Sequence, residues 1–485
     1  MLKAQFLLLS ISIIPLFNCL LIKLFQSSEK LINIISKLLP ILFFLHLIGL
    51  LNGLNKGQVY IELIKSAPSI SFGFMLDSIT LKFLFLLNFI WIIFVFYSHR
   101  FLRLQDAKNL SEFKLFFAIA IALINLVFIS QNLLTSLLFY NCLALLCHFL
   151  AVKFLYKKED KFSYIFTSLL YLESLFFFFT IVATYKFSGR IEFSTNGILP
   201  KNLEQIKAAI LLILYLGGLF CAVILPSYLL YRKVSFDLLI VYVLFFLSYA
   251  LSSLYILLKI LVLVFSLSSF SQIILKIGLG YFDFILLLNL LISGAFLLLS
   301  KNFKSAFFYL LFNQLFFALF AIFTFAAFNQ GKVYLVLLSF LLSITLVFFC
   351  FSNLTLYLSK AENKSLAGLF YDFKITMTLL AFALLNLIGI VPTISALEKF
   401  FLAKIILQKK IFLTAAIFVS NALILALFSC RLFYILLSKS EVTRSEHDLK
   451  LAKDIDFDSS LTLTALITAI MLVLALILKN FFPYE

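Results

Sequence analysis

Long apolar runs alternate with short polar stretches over the whole chain. Each run has about 20 residues, which is the length that an α-helix needs to cross the hydrocarbon core of a bilayer. The pattern therefore predicts an all-α polytopic membrane protein with about fourteen spanning helices. Their centres lie near Ile14, Phe43, Asn88, Ile121, Leu143, Leu175, Leu216, Leu247, Asn289, Gln314, Leu346, Leu384, Phe418 and Leu472.

Three longer polar connections separate these runs, at residues 56–79, 186–205 and 438–458. In the first of them, Ser69–Phe74 alternates polar and apolar residues, and this period of two predicts a strand. The other two connections show no such alternation and are expected to link helices.

Composition excludes a water-soluble domain. The 485 residues are 64% hydrophobic and 13% charged, which is too little polar surface for a soluble fold. The whole chain, 1–485, is therefore expected to form a single membrane domain. A net charge of +17 would suggest nucleic acid in a soluble protein, but here the bases lie in short loops, so we expect no nucleic-acid partner.

The distribution of Lys and Arg predicts the orientation in the membrane. Loops rich in these residues are expected on the cytoplasmic side, which leaves both termini outside for an even number of helices. We expect a multi-pass protein of the bacterial cytoplasmic membrane or an inner organellar membrane. The base-rich loops are 100–114, 153–161, 232–233, 301–304, 360–374 and 439–453.

Motifs for cofactors are missing from the sequence. All six cysteines fall inside apolar runs without metal-ligand spacing, and no Gly-rich phosphate loop occurs. We therefore expect no cofactor, no metal site and no catalytic residue in this chain. The cysteines are Cys19, Cys142, Cys147, Cys221, Cys350 and Cys430.

One apolar run is interrupted by helix-breaking residues and then carries a charge. Gly389 and Pro392 predict a break, and Lys399 follows seven residues after the proline. Ionisable groups inside a membrane are costly and often mark an ion pathway. Lys399 is therefore a candidate proton-relay lysine, although a lysine here can also extend its ammonium to the interface.

Two more ionisable residues are candidates for a relay. Glu173 lies in the middle of an apolar run, where it either carries protons or pairs with a neighbouring helix. Lys304 follows Lys301 in a base-rich loop, so membrane orientation alone also explains it.

Several motifs in order resemble the antiporter-like subunits, a family that includes the large proton-pumping membrane subunits of respiratory complex I and subunits of multisubunit sodium/proton antiporters. The resemblance extends from about residue 72 to residue 410. The matching stretches are Phe72–Ile79 before the third helix, Lys304–Tyr309 followed by Asn313 and Gln314, Leu366–Leu369, and Gly389–Pro392 with Lys399.

This resemblance implies two inverted five-helix repeats with broken seventh and twelfth helices. Pro226 would mark the first break, and Gly389 with Pro392 the second. The implied segments are N-terminal helices at 1–112, a first repeat at 113–267, a second repeat at 268–437, and a C-terminal loop and last helix at 438–485.

The chain departs from the family where the proton relay is expected. Asn141 stands in place of a glutamate in the fifth helix, Cys221 in place of a lysine in the seventh, and Leu251 near the position of a lysine or histidine in the eighth. The eleventh helix, at 333–358, contains no carboxylate, lysine or histidine. An asparagine or cysteine offers hydrogen bonds without the required charge, so the relay is expected to be degenerate.

The resemblance implies a membrane subunit of a proton-translocating NADH:quinone oxidoreductase or of a multisubunit cation/proton antiporter, without a redox site of its own. The chain length and Lys399 favour the shorter antiporter-type members. The alternative is a non-pumping structural paralogue within such a complex. In each case the expected partners are other membrane subunits, lipid, and protons or monovalent cations.

Overall fold

A computed structural model provides the fold of most of the chain. It describes residues 2–26, 28–53, 59–67, 70–105, 110–150, 153, 161–194, 197–200, 203–219, 239–265, 280–326, 330–362, 365–408, 412–438 and 445–478.

The chain divides into two compact units. The first comprises Met1–Val95 and Asp106–Gly278, and the second comprises Phe96–Gln105 and Leu279–Glu485. The helix α3 contributes its last residues to the second unit.

The described elements of the first unit are helices and one β-hairpin. They are α1 (Leu2–Leu24), α2 (Glu29–Gly53), β1 (Val59–Ala67), β2 (Ile70–Leu76), α3 (Ser78–Leu104), α4 (Leu110–Phe128), α5 (Leu133–Leu150), α6 (Lys161–Ser188), α7 (Gln205–Leu219) and α8 (Leu239–Lys259), which continues as a π-helical turn at Ile260–Val264. Within this unit α4 packs on α1, α5 and α8, and α6 packs on α5 and α7.

The described elements of the second unit are all helical. They are α9 (Gly280–Leu299), α10 (Phe303–Ala326), α11 (Gln330–Lys360), the short α12 (Leu369–Asp372), α13 (Lys374–Ile388), α14 (Ile394–Gln408), α15 (Phe412–Leu437), α16 (Glu446–Asp456) and α17 (Ser459–Leu478). At the centre of this unit, α11 packs against α10, α13, α14 and α17.

Helix lengths agree with an integral membrane protein. Eight described helices are long and apolar enough to cross a bilayer, or nine if α16 and α17, which meet at a bend of 50°, form one span. Five further apolar helices are shorter, at 10–17 residues. Every predicted helix centre lies inside a described helix. The all-α membrane class is confirmed, whereas the count of fourteen spans and the inverted repeats stay predictions.

The hairpin confirms the strand expected between the second and third helices. Strands β1 and β2 pair antiparallel, with Val59 opposite Leu76 and Ala67 opposite Ile70. Asp77 follows directly and accepts a hydrogen bond from the backbone N–H of Thr80 at 2.6 Å. This carboxylate satisfies a free donor at the start of α3, as an N-cap does.

The apolar segment at 374–408 is divided into two helices, α13 and α14. The first ends at Ile388 and the second begins at Ile394, with a cis peptide bond between Val391 and Pro392. At the opposite end of α13, the Asp456 carboxylate accepts hydrogen bonds from the backbone N–H groups of Ile375 and Thr376, at 3.0 and 2.9 Å. A carboxylate at this end complements the helix dipole.

Candidate functional site

Lys399 binds the carboxyl end of the first half-helix. Its side chain projects from α14, and Nζ donates hydrogen bonds to the backbone carbonyls of Leu387 and Ile388, the latter at 2.8 Å. These carbonyls belong to the last turn of α13, where no intrahelical donor remains for them. A positive charge at this end of a helix is also favoured by the helix dipole. Lys399 is therefore buried between the two half-helices.

The sequence around the break makes room for this lysine. Gly389 adopts a positive φ of 88°, which disfavours residues with a side chain. A Cβ atom at position 389 would also lie 2.6 Å from Cδ of Lys399. The ammonium group lies 5.3 Å from the centre of the Phe317 ring on α10, within range of a cation–π contact. Glycine is thus needed both for the turn and for the lysine beside it.

Glu398, the residue before Lys399, is a second buried charge at the break. Its side chain is 4% exposed, and its Oε1 atom has no hydrogen-bond partner. The carboxyl group interacts with the Ser339 hydroxyl on α11 and with the charge of Lys399. Buried polar atoms are nearly always hydrogen-bonded, so an open carboxyl oxygen calls for an explanation.

Glu398 lines a small recess of the second unit, with a volume of about 10 Å³, which is close to the space that one water molecule needs. Lys332 lies on the wall of this recess, half-buried, with its ammonium 4.4 Å from the centre of the Phe401 ring. The complete lining is Phe325, Lys332, Leu335, Ile394, Leu397, Glu398 and Phe401.

A hydrogen-bonded group of small polar residues holds the break in place. Asn386 donates from Nδ2 to the hydroxyls of Ser343 and Ser339, the latter at 3.4 Å. Its Oδ1 atom accepts from the backbone N–H of Ser395 at 3.3 Å. One amide thereby joins α13 to α11 and to the start of α14, which fixes the positions of Glu398 and Lys399.

Lys304 is not part of this cluster. It is the second residue of α10 and is half-buried. The helix residue that contacts Lys399 is Phe317, thirteen positions later, which corresponds to about 20 Å along the helix axis. The structure therefore does not bring the two predicted relay lysines together.

Glu173 forms a separate cluster in the first unit. It is fully buried on α6, and its Oε2 atom accepts a hydrogen bond from the Tyr249 hydroxyl of α8. The Tyr249 ring stacks on Tyr140 of α5 at 5.1 Å, and the Tyr140 hydroxyl is hydrogen-bonded to Ser253. The other carboxyl oxygen, Oε1, has no hydrogen-bond partner.

Asn141 lies next to this cluster. Its Oδ1 atom accepts a hydrogen bond of 2.7 Å from the hydroxyl of Ser174, the residue after Glu173. Leu251 is buried on α8, two positions from Tyr249. Cys221 and Pro226 lie outside the described residues.

A second buried lysine of the first unit resembles Lys399 in its bonding. Lys259 donates to the backbone carbonyls of Phe128 and Ser130, both at 2.7 Å, at the carboxyl end of α4. Its ammonium lies 5.0 Å from the centre of the Phe193 ring. The Lys259 side chain therefore links the last residue of α8 to the carboxyl end of α4 by hydrogen bonds.

Two of these findings were missed by sequence reasoning. Glu398 was overlooked, although a carboxylate beside Lys399 in a membrane helix is itself a signal. Tyr249 and Tyr140 carry no comparable signal, because tyrosines are common in this chain. In the part of the chain that the structure describes, no group of three or more His, Cys, Asp or Glu residues could hold a metal ion.

The sequence matches no family model and no curated protein. The fold is similar to that of a chain of the Mrp complex from Dietzia sp. DQ12-45-1b, with a TM-score of 0.79, 15% identity, and coverage of 99% of this chain and 95% of that chain. It is also similar to a chain of the membrane-bound sulfane sulfur reductase, an archaeal respiratory membrane complex, with a TM-score of 0.77, 14% identity and the same coverage. The protein therefore has the fold of subunits in multisubunit membrane complexes, and the antiporter-like fold indicated by its motifs is confirmed.

Proposed function

We propose that this chain is a membrane subunit of a cation/proton antiporter-like complex, with a degenerate proton relay. The observation that carries the proposal is the ammonium of Lys399 on the open carbonyls of a broken helix, within a fold shared with the Mrp and sulfane sulfur reductase complexes. Broken membrane helices expose such backbone groups at ion pathways. Membership in an NADH:quinone oxidoreductase is the finer variant of the same proposal.

Lys399 and Lys304 are the candidates for the relay of the second unit, with Lys304 at the cytoplasmic entrance. Glu173 replaces the carboxylate that is missing at Asn141, because its neighbour Ser174 binds that asparagine directly. A structural role remains the alternative for Glu173, since the Tyr249 hydroxyl already bonds it to α8.

A non-pumping structural subunit is the second candidate function. It is favoured by Asn141 and Leu251, neither of which can carry a proton, and by an α11 that has no carboxylate or histidine at 333–358. Such a subunit would occupy a place in the complex and bind its neighbours without conducting ions.

Purification with partners tests the proposal. The chain is tagged and extracted in mild detergent, and its companions are identified by mass spectrometry. We expect other membrane subunits to copurify, and NADH-oxidising subunits would select the complex I variant. A stable chain that purifies alone would contradict membership in any complex.

Proton movement separates the two candidates. The complex is placed in vesicles, and the internal pH is followed after an ion gradient is applied. A pH change that is reduced by Lys399→Ala, with unchanged partners, supports a surviving relay. An equal pH change in the unmodified chain and in Lys399→Ala supports the non-pumping structural subunit. Lys207→Ala on the exposed surface of α7 is the matched control, because its ion pair with Glu204 lies outside either cluster.

A further inference from the structure

We propose that Glu398, and not Lys399, is the group at the helix break that binds and releases a proton, and that it exchanges this proton through the recess beside Lys332. The inference rests on the proposed function, because it concerns the relay of the second unit. It assigns the mobile proton to a residue that the motif resemblance does not include.

Lys399 is poorly placed to give up its proton. Two of its three donor positions are engaged by the carbonyls of Leu387 and Ile388. Its charge also offsets the negative end of the α13 dipole. Loss of the proton would remove the positive charge that stabilises the carboxyl end of α13. Lys399 is therefore expected to keep its proton and remain a cation.

Glu398 has the opposite properties. One of its carboxyl oxygens is open, and the side chain lines the recess. A carboxyl group that accepts no fixed donor on one oxygen can take a proton there without breaking a hydrogen bond. In this step an O–H bond forms at Oε1 with a proton that enters through the recess, and the charge of the group changes from −1 to 0.

One cation interacts directly with this carboxyl group. Lys399 lies next to it on α14, and Lys332 on α11 lines the same recess. Lys332 is in turn within electrostatic range of Lys404 on α14. Burial favours the neutral acid and the neighbouring cation favours the carboxylate, so the two effects oppose each other at Glu398.

The other charged residues on the packed helices are engaged elsewhere or lie at distant positions. Lys374 is the first residue of α13, fourteen positions before its end, and Lys304 is at the start of α10. Arg431 on α15 donates to the Leu298 carbonyl. The proton on Glu398 therefore responds mainly to Lys399.

Infrared difference spectroscopy tests the assignment without depending on transport. The purified complex is titrated with acid, and the C=O stretching band of protonated carboxyl groups is recorded. We expect the buried carboxyl band that grows on acidification to contain a component that is lost in Glu398→Gln and persists in Glu173→Gln. An unchanged band in Glu398→Gln, or loss of the same component in Glu173→Gln, would overturn the proposal.

Transport in vesicles supplies the second measurement. Glu398→Gln keeps the size and polarity of the side chain but cannot take up a proton on a carboxylate. We expect this variant to lose the pH change and Lys207→Ala, on the exposed surface of α7, to retain it. Retention of the pH change in Glu398→Gln would return the role to Lys399.

Copurification keeps this inference separate from the proposed function. Each variant is first checked for the same partners as the unmodified chain. A chain without partners would refute the proposed function, whereas the infrared band would still report whether Glu398 titrates.

Discussion

The two buried glutamates of this protein are held in different ways. Glu173 in the first unit is bonded by Tyr249 and has the stacked Tyr140 ring beside that tyrosine, whereas Glu398 in the second unit lies beside Lys399 and shares a recess with Lys332. A carboxyl group among hydroxyl groups can stay neutral and serve as a structural link. A carboxyl group among cations can be ionised, and its charge can change during a transport cycle. In the proposal made above, only the carboxyl group beside the cation exchanges its proton.

The largest loss of stability is expected from removing Lys399, the cation at the break between α13 and α14. Lys399→Leu should destabilise the second unit by about 3–5 kcal/mol, because it leaves Glu398 buried without its neighbouring charge. The double variant Lys399→Leu/Glu398→Gln should recover much of that loss. Thermal unfolding of the purified complex measures both. A double variant as unstable as the single one would show that the two residues are not coupled.

A substitution at Gly389 should have the next largest effect. Gly389→Ala should cost about 1–3 kcal/mol, since alanine is strained at a φ of 88° and its Cβ would lie 2.6 Å from the Lys399 side chain. Gly49→Ala on α2 is the matched control, because a Cβ there meets nothing within 4 Å. Similar unfolding temperatures for the two variants would contradict the packing described here.

Substitutions in the cluster of Glu173, Tyr249 and Tyr140 should change the stability less. Tyr249→Phe leaves a carboxyl oxygen of Glu173 without its donor and should cost about 1–2 kcal/mol, whereas Glu173→Gln keeps an acceptor for Tyr249 and should cost less than about 1 kcal/mol. Tyr171→Phe, exposed on the same helix, serves as the control. If Glu173→Gln proved the more harmful of the two, the charge of Glu173 would matter more than the hydrogen bond.

The smallest change in stability is expected from a substitution of Asp458, which lies at the bend between α16 and α17. Burial disfavours ionisation of Asp458, but hydrogen bonds from Ser460 and Arg100 outweigh it and hold the pKa of this carboxyl below its usual 3.8. Its contribution to stability is therefore fully present above pH 3.8 and is lost as the pH falls through the lowered pKa. Asp458→Asn should cost less than about 1 kcal/mol at neutral pH, because Arg100 is partly exposed. Unfolding measured against pH should show the two proteins converging in acid, and a constant difference would contradict the assignment.

Periodicity and length were sufficient to predict the helical membrane class, because about 20 consecutive apolar residues have few other stable arrangements. The strand β2 followed from alternation at Ser69–Phe74, whereas its partner β1 was not predicted. The partner of Lys399 did not follow, because the contact with Leu387 and Ile388 depends on how α14 folds back on α13. Glu173 was identified as unusual, but its tyrosine neighbours come from α5 and α8, and no local pattern connects those helices.

The break between α13 and α14 has a consequence for the membrane potential. Glu398 is followed by ten more residues of α14, about 15 Å of helix, which is about half of a hydrocarbon core. If α14 lies across the bilayer, a proton that reaches Glu398 along this half-helix crosses about half of the electric field. Its binding free energy would change by about 1 kcal/mol for each 100 mV. A subunit that conducts no ion from one side to the other would still sense voltage through this carboxylate.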